Sequence, residues 1–180
     1  NQSQIDLSSG YTFAKGLRSM LRQDPDIAMV GEIRDLETAD IAVQAALTGH
    51  LILSTIHTNS ASGAIPRFLS MGVKPFLLSP ALNCVIGQRL ARKLCQKCKK
   101  EVQLDQATIE RIAKIITEMP EAARKDAEAK PKVFYTAQGC DACNKIGYKG
   151  RVGLYEVFVM NKQIEEIVLS SQVSEYEIER

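Results

Sequence analysis

Ile27-Ala28-Met29-Val30-Gly31-Glu32-Ile33-Arg34-Asp35 and, one helix length later, Leu51-Ile52-Leu53-Ser54-Thr55-Ile56-His57-Thr58-Asn59 decide the fold class. Each segment opens on apolar residues and closes on polar ones. Ile27 to Val30 is apolar without alternation, the pattern of a strand covered on both faces in a parallel sheet, and Gly31 ends it. Leu51 to Ile56 reads as the next strand. Between them Asp35 can cap a helix from Leu36 to Leu47 that turns Ile41, Ala42 and Ala45 inward, and Gly49 offers a left-handed exit. Strand, helix and strand in so short a span form a right-handed βαβ unit, and hence a parallel α/β sheet.

The flanks extend this pattern. Thr12 to Gln23 reads as a helix, with Phe13, Leu17 and Leu21 on one side and Asp24-Pro25 as its stop. Ser60 is expected to cap a helix to Met71, kinked at Pro66 and ended by Gly72. Ser79-Pro80 is expected to open another helix, running to about Leu94 and burying Cys84 as a packed thiol. Further on, Leu104 to Glu118 predicts an amphipathic helix with Ile109, Ile112, Ile115 and Ile116 inward. Pro120 to Pro131 reads as a mobile insert, Val133 to Tyr135 as a short strand, and Gly147 and Gly150 as turn residues. Val152 to Met160 is a strand, Asn161 caps a helix to about Ser170, and Ser174 with Glu177 makes a capping box.

Four of the five cysteines form two Cys-x-x-Cys pairs, Cys95/Cys98 and Cys140/Cys143. Four thiolates at that spacing match a tetrahedral structural zinc site. Two disulfides are the other possibility, and the lack of a secretory signal favours a reducing compartment and metal. A closed four-sulfur site has no position for substrate, so the metal's expected task is cohesion rather than catalysis.

Composition narrows the class. The 180 residues are 45% hydrophobic and 24% charged, with a net charge of +2, which fits a globular protein and predicts no partner from bulk charge. No apolar run approaches the roughly 20 residues of a membrane span. Residues 86–100 hold Arg89, Arg92, Lys93, Lys97, Lys99 and Lys100 without an acid, either a solvated face or a surface for nucleic acid, anionic lipid or an acidic subunit. The chain lacks an initiator Met, and Val173 to Arg180 resembles a helix cut in mid-course, so a longer parent polypeptide is expected.

Ligands of open parallel sheets bind beyond the carboxyl ends of the strands. Glu32 and His57 both follow strands and should share one rim. A carboxylate there can orient water or reach a magnesium shell, and a histidine can sense phosphate. Spacing alone leaves Glu32 as readily a helix-start acid facing the dipole, and His57 as readily a turn residue bonded to backbone. His50 lies at the other end of its strand, where a structural role is the simpler reading.

The runs Leu21-Arg22-Gln23-Asp24-Pro25-Asp26-Ile27, Gly31-Glu32-Ile33-Arg34-Asp35, Thr48-Gly49-His50 and Ser54-Thr55-Ile56-His57-Thr58-Asn59, with Gln88-Arg89-Leu90 before the first Cys pair, resemble the secretion ATPases of type II secretion and type IV pilus assembly. The resemblance runs essentially from end to end. It implies a hexameric, magnesium-dependent ATPase. Residues 1–94 would be the C-terminal half of its RecA-like domain, 95–160 an α+β tetracysteine zinc subdomain, and 161–180 C-terminal helices. Glu32 would stand in the Walker B segment, with Gly31 where many P-loop enzymes carry a magnesium-binding Asp. His50 and His57 would belong to the family's His box, as nucleotide-site residues. Arg18, Arg22 and Arg34 could reach phosphate or a neighbouring subunit, and surface salt bridging is as good a reading for them.

The tetracysteine site, which retraction-type pilus ATPases lack, would make this an extension or secretion type. The resemblance further implies a cytoplasmic location, peripheral to the inner membrane on a platform protein, where ATP hydrolysis drives pilus or pseudopilus assembly. No Gly-x-x-x-x-Gly-Lys-Ser/Thr occurs in the sequence. The phosphate cradle, the Asp box and the arginine fingers are therefore expected upstream, and the chain alone is expected neither to hold ATP tightly nor to hydrolyse it. Two alternatives come from other classes. One is a zinc-ribbon module that binds nucleic acid or another partner through the basic run. With only Phe134 and Tyr135 placed to stack, nucleic acid is not the expected ligand. The other is a non-hydrolysing interaction domain of the same ancestry.

Overall fold

The computed structural model describes residues 2–119, 121–130, 132–170 and 173–179. The chain groups into two compact units, Asn1–Arg89 with Tyr155–Arg180, and Leu90–Leu154.

In the first unit, α1 (Phe13–Leu21) begins where the Thr12 hydroxyl accepts from the Lys15 N–H. Strand β1 (Ile27–Val30) then pairs in parallel with β2 (Leu51–Ser54), in the register Ile27 to Leu51 and Val30 to Ser54. Helix α2 (Leu36–Leu47) makes the crossover. It starts where the Asp35 carboxylate accepts the Thr38 N–H at 2.8 Å, beside a Thr38 that is itself buried. Its inner face carries Ala39, Ala42, Val43 and Ala45, small residues that let α1, α4 (Pro75–Ala81) and β2 pack closely against it. The βαβ reading therefore holds.

The sheet departs from expectation in one respect. Ala28 and Val30 are buried, but Ile27, Met29, Leu51 and Leu53 stand exposed on the opposite face. Among the described residues, helices cover one side of this two-stranded pair, so the unalternated apolar run has one wet face. The pattern recorded the chemistry of both faces but not which of them this chain covers.

Helix α3 (Ala64–Met71) starts later than expected, with Gly63 at its cap. Pro66 thereby falls in the first turn, where its missing N–H had no helical partner to lose, and no kink is required. The Ser60 hydroxyl instead accepts the Gly63 N–H, closing the turn before the helix. The larger correction concerns Ser79-Pro80. Helix α4 is already running there, opened by Pro75 at its first position, and it ends at Ala81. The chain then enters a strand, β3 (Cys84–Leu94), rather than continuing as a helix. Val85-Ile86 and a run of alternately shielded residues suit an extended conformation better. Cys84 is accordingly an exposed free thiol at a strand start and not a core thiol.

Strand β6 (Tyr148–Val159) pairs with β3, and the Asn83 carbonyl accepts the Met160 N–H beyond the end of both. Helix α7 (Lys162–Leu169), capped by Asn161 as expected, buries Ile164 and Val168 and packs on α4. Helix α8 (Glu175–Glu179) starts where the Ser174 hydroxyl accepts the Glu177 N–H. One core joins Leu17, Val30, Val43, Ile65, Leu78 and Val168.

The second unit is built differently. Strands β4 (Lys100–Val102) and β5 (Phe134–Thr136) pair antiparallel. Helix α5 (Gln106–Glu118), capped by Asp105, half-buries Ile112 and Ile116 and leaves Ile109 and Ile115 exposed. The expected mobile insert holds a helix, α6 (Glu121–Ala129), braced by Glu121–Lys125 and Asp126–Lys130 pairs one turn apart. Pro120 and Pro131, the ends of that stretch, lie outside the described residues. Among the described residues from Leu90 to Leu154, only Cys95, Cys143 and Gly147 are buried, so this unit has no apolar core of its own.

Candidate functional site

The segments beyond β1 and β2 are tied together before any side-chain chemistry enters. The Ile33 N–H donates to the Thr55 carbonyl at 2.9 Å, and the Thr55 hydroxyl donates to the Gly31 carbonyl at 2.7 Å. This lashing sets Glu32 and His57 on one edge, as the parallel pairing requires. Glu32, with 20% of its side chain exposed, receives Arg34 Nε at 2.6 Å and His57 Nε2 at 3.4 Å, both on Oε2. Among the described residues no protein donor reaches Oε1, so that oxygen is free to accept from water or from a hydrated cation. Arg34 and His57 are mostly exposed, so their groups remain open to solvent while contacting Glu32. A carboxylate flanked by a guanidinium and an imidazole can orient a water molecule and meet phosphate charge.

The other expected site residues are spread more widely. Gly31 lies in the lashed turn and supplies its carbonyl. His50 is not part of the rim: its Nδ1 sits 3.1 Å from the Ala45 carbonyl and 3.2 Å from the Thr48 hydroxyl, at the C-terminal end of α2. Four strand residues at about 3.3 Å each separate it from the other end of β2. Arg18 pairs with Glu37 at 3.0 Å on the surface. A cleft of about 630 Å³ runs beside β2 and is lined by His50, Ser54, His57, Asn59, Arg89 and Glu156 among others, but Gly31, Glu32 and Arg34 do not line it.

Two contacts could not be read from the sequence. The Arg89 guanidinium donates to the Asn59 carbonyl, and Glu156 Oε2 accepts the Ala61 N–H at 2.7 Å. Glu156 lies 95 positions from Ala61, and no local pattern marks such a pair.

In the second unit, Cys95, Cys98, Cys140 and Cys143 place all four sulfurs within 4.8 Å of one another. The separations are 4.0 Å for Cys95–Cys140, 3.8 Å for Cys98–Cys143 and 3.8 Å for Cys140–Cys143. A tetrahedron with bonds of about 2.3 Å has edges of about 3.8 Å, whereas a disulfide needs about 2.05 Å. All five cysteines are free. Each pair closes a turn on the carbonyl of its first cysteine: that of Cys95 accepts from Cys98 and Lys99, three and four residues on, and that of Cys140 from Cys143 and Lys145, three and five residues on. Gly139 is required here, because a Cβ on it would meet the Lys145 carbonyl oxygen at 2.4 Å.

The electrostatics of the four sulfurs suit a cation. Burial pushes the Cys143 thiol up, but N–H donors from Cys140 and Gly147, at 3.2 and 3.3 Å, outweigh it and lower it to about 7. Cys98 is pushed up to about 12, first by burial and then by the neighbouring cysteine sulfurs. Sulfurs this close cannot all ionise unless a cation sits among them. The quartet could hold a metal ion. Around it Arg92 stacks on Tyr148 and Lys99 on Tyr135, so one of the two aromatics that could stack a base, Tyr135, is already covered by a lysine.

Among solved structures, the pilus retraction motor PilT with bound ADP aligns with a TM-score of 0.53 at 27% identity, over 88% of this chain and 32% of that one. The Legionella pneumophila ATPase DotB aligns with a TM-score of 0.55 over 98% of this chain and 35% of that one, and at 21% identity the likeness is one of fold. This is the α/β fold of the P-loop nucleotide hydrolases. Residues 1–180 match the family described as type II/IV secretion system protein, and the chain belongs to that family. Type II secretion system protein E of Pseudomonas aeruginosa is 47% identical over 180 residues, covering 99% of this chain and 33% of that protein. The type IV pilus assembly ATPase PilB of Thermus thermophilus is 45% identical over 172 residues, 96% of this chain and 18% of that one. The chain thus spans a third or less of these two relatives, and the kinship does not favour the nucleic-acid module. No described helix is long and apolar enough to cross a membrane.

Proposed function

We propose that this chain is part of a motor that hydrolyses ATP to drive pilus or pseudopilus assembly in type IV pilus biogenesis or type II secretion. The observation that carries the reading is the Glu32 carboxylate, held between Arg34 and His57 at the carboxyl rim of a parallel pair in a member of this family. Glu32 acts there on the magnesium shell or the attacking water through its free Oε1. His57 and Arg34 face phosphate, and the Gly31 turn lets the nucleotide approach. Zinc in the cysteine quartet holds the second unit, Leu90–Leu154, together. The full-length protein works as a homohexamer in the cytoplasm, docked on an inner-membrane platform protein.

The 180 residues contain no Gly-rich phosphate loop, so the chain by itself is expected to be inactive. The test is magnesium-dependent ATP turnover. In the full-length protein Glu32→Gln should lower kcat by about 100-fold or more while nucleotide is still bound, the behaviour of a group acting in the transition state. An active Glu32→Gln protein, or sustained hydrolysis by the 180-residue chain, would contradict the assignment.

A further inference from the structure

His57 is the least supported member of the rim. Its side chain is 86% exposed, and its one described side-chain contact is the 3.4 Å approach to Glu32. Among the described residues no second side chain bonds the ring, so its place depends on the backbone that carries it. On the N-terminal side that backbone is fixed by Thr55. On the C-terminal side it is fixed by groups from distant parts of the chain.

Arg89 on β3 grips the Asn59 carbonyl, and Glu156 on β6 accepts the Ala61 N–H. The latter bond is charge-assisted and short at 2.7 Å, and Ala61 is 4% exposed, so water offers its N–H no ready substitute. β3 approaches this loop so closely at Gly87 that a Cβ there would lie 3.1 Å from both the Ala61 nitrogen and Glu156 Oε2. Inside the loop, the Thr58 hydroxyl donates to the Ser60 carbonyl, and Ser60 and Ser62 engage Glu175 and Glu179 of α8.

We propose that Glu156 and Arg89 are positioning residues for His57: they clamp the Asn59–Ala61 backbone and so keep the imidazole on Glu32. The proposal rests on the reading of Glu32 and His57 as nucleotide-site residues. Neither clamp residue touches the Glu32 carboxylate or the reacting centre assigned above. Their effect travels through two or three peptide units to His57.

The experiment has two arms and uses Glu156→Ala and Glu156→Gln, with Arg89→Gln as an independent approach from the Asn59 side. In the 180-residue chain, NMR follows the Ala61 amide and the nuclear Overhauser contact between the His57 ring and the Glu32 side chain. Glu156→Ala should speed Ala61 amide exchange by about tenfold and remove the His57–Glu32 contact. Glu156→Gln keeps a carbonyl acceptor and should restore both. In the full-length protein, Glu156→Ala should lower kcat by about 10- to 100-fold with little change in KM for ATP, as misplacement of a reacting group does, and Glu156→Gln should recover most of it.

The proposal is overturned if a folded Glu156→Ala chain keeps the His57–Glu32 contact, or if Gln fails to rescue. Should the Ala variant not fold, Arg89→Gln decides: an unmoved His57 ring refutes the clamp. Loss of the contact combined with unchanged turnover in His57→Ala would uphold the clamp and reject the nucleotide reading instead.

Discussion

Removing the metal from the cysteine quartet should unfold one unit and spare the other. Between Leu90 and Leu154 the only buried side chains among the described residues are those of Cys95 and Cys143. Ile112 and Ile116 are merely half-buried, so this unit has no apolar interior to fall back on. The sulfur separations of 3.8 to 4.0 Å leave room for one tetrahedral ion. Structural zinc in small sites contributes roughly 10–16 kcal/mol, as much as or more than the roughly 5–15 kcal/mol that holds a whole domain. Losing it should therefore exceed the stability of the unit. The assay is metal analysis of the anaerobically purified chain, then hydrogen exchange before and after chelation. One zinc per chain is expected. After chelation, or in Cys95→Ser, protection should vanish from the Cys95 N–H bound to Gly147 and the Lys145 N–H bound to Cys140. The Ile33 N–H bound to Thr55 should stay protected. Persistence of the Cys95 and Lys145 protection in metal-free chain would refute the reasoning, as would a chain that takes up no metal.

Leu78→Ala, at a side chain 2% exposed in the core of the first unit, should cost about 3–5 kcal/mol in urea unfolding; a cost below about 1 kcal/mol would show that α4 does not pack as described. Asp35→Ala should lose about 1–2 kcal/mol by removing the cap on Thr38, and Asp35→Asn should recover most of it. The Asp105 carboxyl is held below the usual carboxylate range by the Thr108 N–H and hydroxyl. A lowered folded-state value stabilises above the unfolded value of about 3.9 and is lost as pH falls through the folded one, so the α5 start should fray only in acid, which the Thr108 amide shift would report. Zinc affinity should also fall with falling pH, because the sulfurs bind as thiolates; a pH-independent affinity would argue against an all-sulfur site.

The βαβ unit and its rim were legible because periodicity, the Asp35 cap and parallel pairing are local rules that point the same way. The rules failed where two elements shared a signal. Ser79-Pro80 has the form of a helix start, yet Pro75 had opened that helix one turn earlier, and the residues beyond Cys84 were extended. Pro66 is a breaker only if its helix begins at Ser60; beginning at Ala64, the same proline is harmless. The exposure of Ile27 and Leu51 depends on what covers the sheet, which no window of sequence encodes.

The two histidines show the limit most sharply at the site. Both flank β2, and the family resemblance implies a nucleotide-site role for each. Geometry separates them: His50 caps the carbonyl end of α2, whereas His57 reaches a carboxylate on the neighbouring strand's loop. The first contact is five residues away in sequence and the second twenty-five, and only the second depends on the register of Ile27 with Leu51. The resemblance nominates His50 and His57 together, but long-range pairing decides which of them meets Glu32. By the same logic, replacing His50 should lower the melting temperature more than turnover, and replacing His57 should do the reverse.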